Sequence, residues 1–394
     1  MVPANLPASN GDALMRPIIP LLPLALIVAA CGGPAETTPV ATSDFDVKLT
    51  PVVTEAEWPW GLAFLPNGDL LFTEKEGGLK FVAGGEGTPS SVTGLPEAFI
   101  EGQAGYLGLV LDPDFETNRM VYISYSKGDG AANAAAVIKG RLSDDASALE
   151  NVEEIFWADA RDTAYHYGSR LQFANDGTLF VSLGEGFSFM KDAQDPTNTH
   201  GTIVRINTDG SIPADNPFAD GEAGAPPVWS YGHRNVQGLY YDTATDTLYE
   251  TEHGPKGGDE LNISTPGANY GWPKITYGVN YDGTIITNET EAEGMVQPLT
   301  YWVPSIAPSG LTMLTSDVYP GWKGDLFTGG MNGPAGLELT RIDMENGEVV
   351  GKQSLFDEEY AIRDVVQGPD GHLYVATKDF DGIFRVDIAE AEAE

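Results

Sequence analysis

The chain has 394 residues, and its 58 acidic against 21 basic side chains give a formal charge of −37. A surface this acidic repels nucleic acid, whose binding rests on neutralising phosphates with Lys and Arg, and it repels anionic lipid as well. With 47 Gly, 27 Pro, 16 Tyr, 16 Phe and 7 Trp and few stretches of 3.6-residue apolar period, the composition points to an all-β protein of many short strands.

At the amino end, Arg16 precedes the apolar run Pro17–Ala30, which leads into Cys31-Gly32-Gly33. A basic residue, a short apolar stretch and small residues are the pattern of a signal peptide, and the run is short for a membrane span. Cys31, the only cysteine, follows Val28-Ala29-Ala30 in a way that resembles a bacterial lipobox, with Met15 as an alternative start. The expectation is a signal peptide over 1–31 and export to the bacterial periplasm or outer membrane. Membrane contact is then confined to a lipid anchor on Cys31. Residues 32–46, rich in Gly, Pro, Ala and Thr, read as a flexible linker, 47–388 as a single folded domain and 389–394 as an acidic tail. No second cysteine remains for a disulfide, so packing, with or without metal, must stabilise the fold.

From residue 61 onward one phrase recurs: a small or apolar start, alternating residues, a tight turn and a second alternating strand. It appears as Gly61–Thr73, Gly108–Tyr125, Arg170–Ser182, Gly238–Glu250, Gly310–Thr328 and Asp364–Ala376. Asn-Gly and Asp-Gly turns between alternating strands are hairpin signals, because both central positions tolerate positive φ. Copies spaced roughly 45–75 residues apart allow four strands and long loops each. One unit alone cannot cover its apolar face, whereas radial stacking does, so the six copies predict a six-bladed β-propeller. Its functional loops are expected at 100–110, 160–170, 185–200, 230–285 and 300–335, where spacings are longest.

Histidines stand in three of these loops, as His166, His233 and His253. Their near-neutral pKa suits general-base work, while a hydrogen-bonded structural role is the alternative for each. His200 and His372 complete the five, and none is spaced from another as zinc ligands on a helix would be. The loop Gly254-Pro255-Lys256-Gly257-Gly258-Asp259-Glu260 offers free carbonyls and two carboxylates, which suits a hard cation such as calcium as well as it suits an ordinary turn. Neither a Gly-x-Ser-x-Gly elbow nor a dinucleotide-binding Gly-x-Gly-x-x-Gly is present.

Taken in order, several of these loops resemble the soluble aldose and glucose dehydrogenases that use pyrroloquinoline quinone (PQQ) with calcium. The resemblance covers roughly 48–387, the whole propeller as a repeat architecture demands. It rests on Gly102-Gln103-Ala104-Gly105, His166–Leu171, Ala193-Gln194-Asp195-Pro196, Gly201–Ile206 and Asp209–Pro217. Tyr231–Gly238, Glu252–Leu261, Asn269–Pro273 and Trp302–Ser309 continue it. It implies that His166 takes the proton from the sugar C1 hydroxyl and that Arg234 and Asn235 polarise the quinone carbonyls. It also implies that Gln103 and Tyr281 stand beside cofactor and substrate, with an aldose as substrate and an unidentified electron acceptor downstream. One calcium is implied on the carbonyls of Gly254 and Pro255, and a second on Glu260 and the carbonyl of Tyr270.

The chain departs from the family pattern at three places. Relatives carry a lysine near Asn332, an arginine at Ala361 beside Arg363, and an aspartate at Tyr165 before the histidine. Asn332 and Arg363 are the counterparts left to hold the tricarboxylate. Two lost cations cost several kcal/mol if each contact is worth about 1.5–3 kcal/mol. Either calcium bears more of the cofactor charge, or the cofactor has been lost. A metal-dependent propeller hydrolase or lactonase and a non-catalytic sugar-binding lipoprotein are the competing readings.

Overall fold

The computed structural model describes residues 45–332, 336–378 and 382–389. The expected signal peptide with Cys31, most of the expected linker and residues 390–394 lie outside them. Among the described residues no helix is long and apolar enough to cross a membrane.

Six four-stranded antiparallel sheets follow one another along the chain, and the innermost strands of successive sheets pack in a ring. The fold is a six-bladed β-propeller. Its innermost strands are Pro59–Phe64, Tyr106–Leu111, Leu171–Phe173, Val236–Asp242, Pro308–Met313 and Ile362–Gln367, so each repeat identified in the sequence starts one blade. The sixth blade is completed by the first strand, Val47–Val53, which pairs antiparallel with Gly382–Ile388 in the register Val47↔Ile388. That pairing closes the ring with the chain's own ends and removes the edge an open circle would expose. The only α-helix among the described residues is the four-residue Phe115–Asn118.

The repeated phrase has a local cause. A β-bulge interrupts the inner strand in five blades, between Pro59 and Leu62, Tyr106 and Leu109, Val236 and Gly238, Ser309 and Thr312, and Ile362 and Asp364. A bulge frees backbone groups that must be satisfied elsewhere. Ser124 Oγ accepts the Gly108 N–H at 2.7 Å and donates to Ser169 O of the next blade at 2.6 Å. Thr73 does the same for Gly61 and Leu107, and Ser182 for Arg170 and Val236. In these three blades one hydroxyl thus binds its own inner strand and ties it to the next blade, and in blades 1 and 2 that strand is bulged. Gly108 has to be glycine here, because a Cβ would lie 2.1 Å from Ser169 O.

Between blades the faces interlock as apolar layers. Trp322, Phe327 and Leu339 of blade 5 pack with Ile362, Val375 and Val386 of blade 6, each fully buried aliphatic side chain stabilising by about 1.5–3 kcal/mol. At the axis, Arg170 Nη1 bonds Asp364 Oδ1 at 2.7 Å and Nη2 bonds Arg363 O at 2.7 Å. Its guanidinium also lies 4.2 Å from the Trp60 ring centre, and Asp364 Oδ2 accepts the Leu62 N–H at 2.9 Å. This buried ion pair ties blades 1, 3 and 6 together and forms the floor of the channel on which the site stands.

Candidate functional site

The third blade is entered through a strained loop. His166 (φ 52), Gly168 (φ 63) and Ser169 (φ 72) all sit in the left-handed region, which costs a non-glycine residue of order 1–3 kcal/mol and persists only when surroundings enforce it. Here they do. The Gln103 side-chain carbonyl accepts the His166 N–H at 2.7 Å, Arg161 Nη2 donates to His166 O at 3.0 Å, and a Cβ on Gly168 would lie 2.7 Å from Ser182 O.

The His166 ring is buried, 4% exposed, with Nδ1 3.1 Å from Glu185 Oε1 and no partner on Nε2 among the described residues. Burial, Arg234 and Arg161 hold its pKa well below the usual histidine value, so the imidazole is neutral at ordinary pH. Glu185 follows the strand Leu179–Ser182 and is 1% exposed. Burial raises its pKa to about 7 against the opposing pull of Arg234 and Arg161. As a carboxylate it accepts the Nδ1–H and leaves Nε2 with its lone pair free, the arrangement a general base needs.

A hydrogen-bonded belt links this base to the channel mouth. The Asn235 side-chain carbonyl accepts the Gly168 N–H at 3.1 Å. Gln237 donates to Gly168 O at 3.1 Å and accepts from Arg363 Nη1 at 2.9 Å. Arg234 donates to Gly254 O at 2.7 Å, to His253 O at 3.2 Å and to the Tyr281 hydroxyl at 3.3 Å. Phe187 lies edge-on to His166 at 5.2 Å and stacks on Tyr281 at 6.4 Å. Phe187 and Tyr281, 46% and 61% exposed, are an aromatic rim over the base.

Adjoining the belt is a cleft lined by Trp58, Lys75, Gln103, Asn235, Gln237 and Arg363, among others. Three donors on its walls are buried without a partner: Trp58 Nε1, Asn235 Nδ2 and Arg363 Nε. Unsatisfied donors cost about 1–3 kcal/mol each, so their convergence fits a ligand rich in acceptors and negative charge. Burial and Arg170 lower the Arg363 pKa to about 9, a shift that an anion at this place would relieve.

A second group of titratable side chains lies in the fourth blade. His233 Nδ1 is 3.1 Å from Glu252 Oε1 and 3.7 Å from Glu250 Oε1. Both Glu250 carboxylate oxygens are buried without a partner, and the three side chains are spaced as cation ligands would be. Glu260 faces Glu252 across the strand pair, and burial first, then Glu252, pushes the Glu250 and Glu260 pKa values well up. Tyr270 stacks on His233 at 4.4 Å. Buried carboxylates of this kind suit a hard cation. The Gly254–Pro255 loop is less ready for one, since Gly254 O is taken by Arg234 and the neighbouring Asp259 carboxylate is spent on Ser305 Oγ and the N–H groups of Gly254, Ile306 and Ala307.

Of the residues singled out in the sequence, His166, Gln103, Arg234, Asn235, Tyr281 and Arg363 meet at the mouth. Gly254 is joined to them through Arg234, with Pro255 next in the loop. Glu260 and Tyr270 belong to the buried acidic group. Asn332 spends its amide on Ser305 O at 3.1 Å and is not part of the cleft wall. His253 is structural, donating from Nε2 to Pro308 O at 2.9 Å. Sequence reasoning missed Glu185, which supplies the carboxylate that Tyr165 cannot, and Arg161, Gln237, Trp58 and Lys75. An acid at the end of the third copy's second strand was a usable signal for Glu185. Trp58 and Lys75 fall outside the long loops and had none.

The sequence profile of the family described as Glucose / Sorbosone dehydrogenase matches residues 56–386. An aldose sugar dehydrogenase (YliI) of Escherichia coli is 40% identical over 344 residues, covering 85% of this chain and 91% of the relative. A crystal structure of a glucose dehydrogenase superposes with a TM-score of 0.82 at 38% identity, over 87% of this chain and all of that one. The PQQ-bound form of an aldose sugar dehydrogenase from Streptomyces coelicolor gives 0.73 at 27% identity, over 89% and 100%.

Proposed function

The chain belongs to the glucose/sorbosone dehydrogenase family and is a sugar dehydrogenase, and on that premise we propose that it oxidises the C1 hydroxyl of an aldose to the lactone with PQQ as hydride acceptor. The observation that carries this reading is a neutral His166, aimed by Glu185, above a cleft whose buried donors lack partners. Bound PQQ supplies a quinone that accepts two electrons and a proton as hydride from C1.

The chain's own residues do the rest. His166 Nε2 takes the hydroxyl proton, and Glu185 stabilises the imidazolium that results. Arg234 and the Asn235 amide would supply positive charge and a free N–H to the quinone. Gln103 fixes the His166 backbone, and Phe187 with Tyr281 offers an apolar face against which a sugar ring can settle and shed water. Gln103, Arg234, Asn235, Tyr281 and Arg363 would hold the cofactor. Calcium would belong to the Glu250–Glu252–Glu260 group with the Tyr270 carbonyl, and at the mouth to Gly254 and Pro255 once Arg234 turns to the cofactor.

The deciding experiment adds calcium and PQQ to the purified protein and follows dye reduction with a panel of aldoses. Failure of every aldose to reduce the dye, with no PQQ-dependent thermal shift, would falsify the reading. The proposal extends to location: export to the periplasm or outer membrane, held by lipid on Cys31, with electrons passing to a soluble or membrane acceptor. Metabolic labelling with a fatty acid, abolished by Cys31→Ser, tests the anchor.

A further inference from the structure

We propose that Lys75 of blade 1 and Lys378 of blade 6, gathered on the ring of Trp58, form the anion-binding wall of the cofactor cleft. They replace the cations that relatives place at the positions of Asn332 and Ala361. The inference rests on the PQQ reading above and names which residues of this chain take the carboxylates.

Both lysines follow the second strand of their blades, Leu70–Glu74 and Leu373–Thr377, so the propeller's symmetry carries them to the same mouth. Lys75 is 3% exposed and its ammonium lies 4.2 Å from the Trp58 ring centre. The Lys378 ammonium lies 5.2 Å from the same ring. Two like charges are therefore held within about 10 Å of one another, an arrangement that favours an anion between or beside them. The carboxylates already present are few. Lys75 pairs only with Glu76, itself 61% exposed at the side chain, and Lys378 has no ion pair among the described residues.

Lys75 lines the cleft itself, Lys378 adjoins it across the Trp58 ring, and backbone hydrogen bonds hold both residues in place. Lys75 N–H donates to Trp58 O at 3.2 Å and Lys75 O accepts from Tyr106 at 2.9 Å. The Lys378 N–H donates to Ala361 O at 2.9 Å, so this cation stands directly beside the residue where the family's arginine is missing. Trp58 is held at φ 51, and its indole N–H is one of the three unpartnered donors of the cleft. An ammonium over an indole face is held there by attraction to the ring's negative face. A planar, polycarboxylated aromatic would meet two cations and an N–H donor here, with Arg363 on the same wall.

The test measures PQQ affinity of the full chain, without turnover, by calorimetry and by quenching of tryptophan fluorescence. Two charge-assisted contacts predict at least about a 100-fold loss in Lys75→Met/Lys378→Met, a shallower dependence of affinity on salt, and near-normal binding in the Lys→Arg pair. If burial of Lys75 makes its variant unfold, Lys378→Met and Lys378→Glu at the part-exposed position carry the comparison, with the glutamate weaker than the methionine. Wild-type binding that the folded variants leave within threefold overturns the lysine wall and spares the cofactor reading. Wild-type protein that does not bind PQQ overturns both.

Discussion

Glu185 is where the proposed chemistry is most exposed to test. In Glu185→Gln the amide oxygen can still accept the His166 Nδ1–H, so the ring keeps its place while the charge is removed. The carboxylate lies 3.1 Å from Nδ1 in a buried setting. At an effective dielectric of about 20, an imidazolium about 4 Å from a carboxylate gains about 4 kcal/mol, which is about 10³-fold in rate. We therefore expect kcat to fall by about 10³ with KM changed less than threefold, since the charge matters only once the imidazolium forms. The pH profile gives an independent reading. The Glu185 pKa is raised to about 7 while that of His166 lies well below its usual value. Wild-type kcat should rise through about pH 7 as Glu185 ionises, and the substituted enzyme should lose that limb. Pre-steady-state dye reduction across pH measures both. A variant retaining more than a tenth of wild-type kcat, or keeping the limb, refutes the dyad.

Other outcomes follow from the same geometry. Arg170→Ala leaves Asp364 charged and buried at the axis, so urea unfolding should show a loss of about 3–5 kcal/mol, part of it recovered when Asp364→Leu is added. The Glu250 and Glu260 pKa values are raised in the folded state, so their contribution to stability is full below the ordinary carboxylate pKa and is lost as pH rises through the raised values. The metal-free protein should melt lower at about pH 8 than at about pH 5, and calcium should raise its Tm more at the higher pH; equal calcium shifts at both would contradict the buried cluster. Gly168→Ala forces a Cβ to within 2.7 Å of Ser182 O at φ 63 and should cost about 1–3 kcal/mol, read by thermal unfolding, while lowering kcat by displacing His166. His166→Ala should abolish dye reduction yet leave PQQ binding within about tenfold, because it is assigned to the proton and not to the cofactor.

The six blades were written in the chain because each repeats an inner strand, a tight turn and a second strand, in five blades with a bulge and in several with a hydroxyl to satisfy the inner strand, as at Gly61/Thr73 and Gly108/Ser124. His166, Gln103, Asn235 and Arg363, singled out by the order of their motifs, are brought together by the fold through a chain of hydrogen bonds. What periodicity cannot reveal is which residues a ring brings face to face. Arg170 and Asp364 are 194 positions apart and meet on the axis. Trp58, Lys75 and Lys378 come from the first and last blades and meet only because Val47–Val53 closes the circle on Gly382–Ile388. Asn332 and Ala361 could be read only as two separate loops, whereas the closed ring sets Lys378 beside Ala361. Sequence determines what each blade is made of. Closure of the ring decides which ends of the blades share a cleft, and with it which charges and unpartnered donors a ligand would meet.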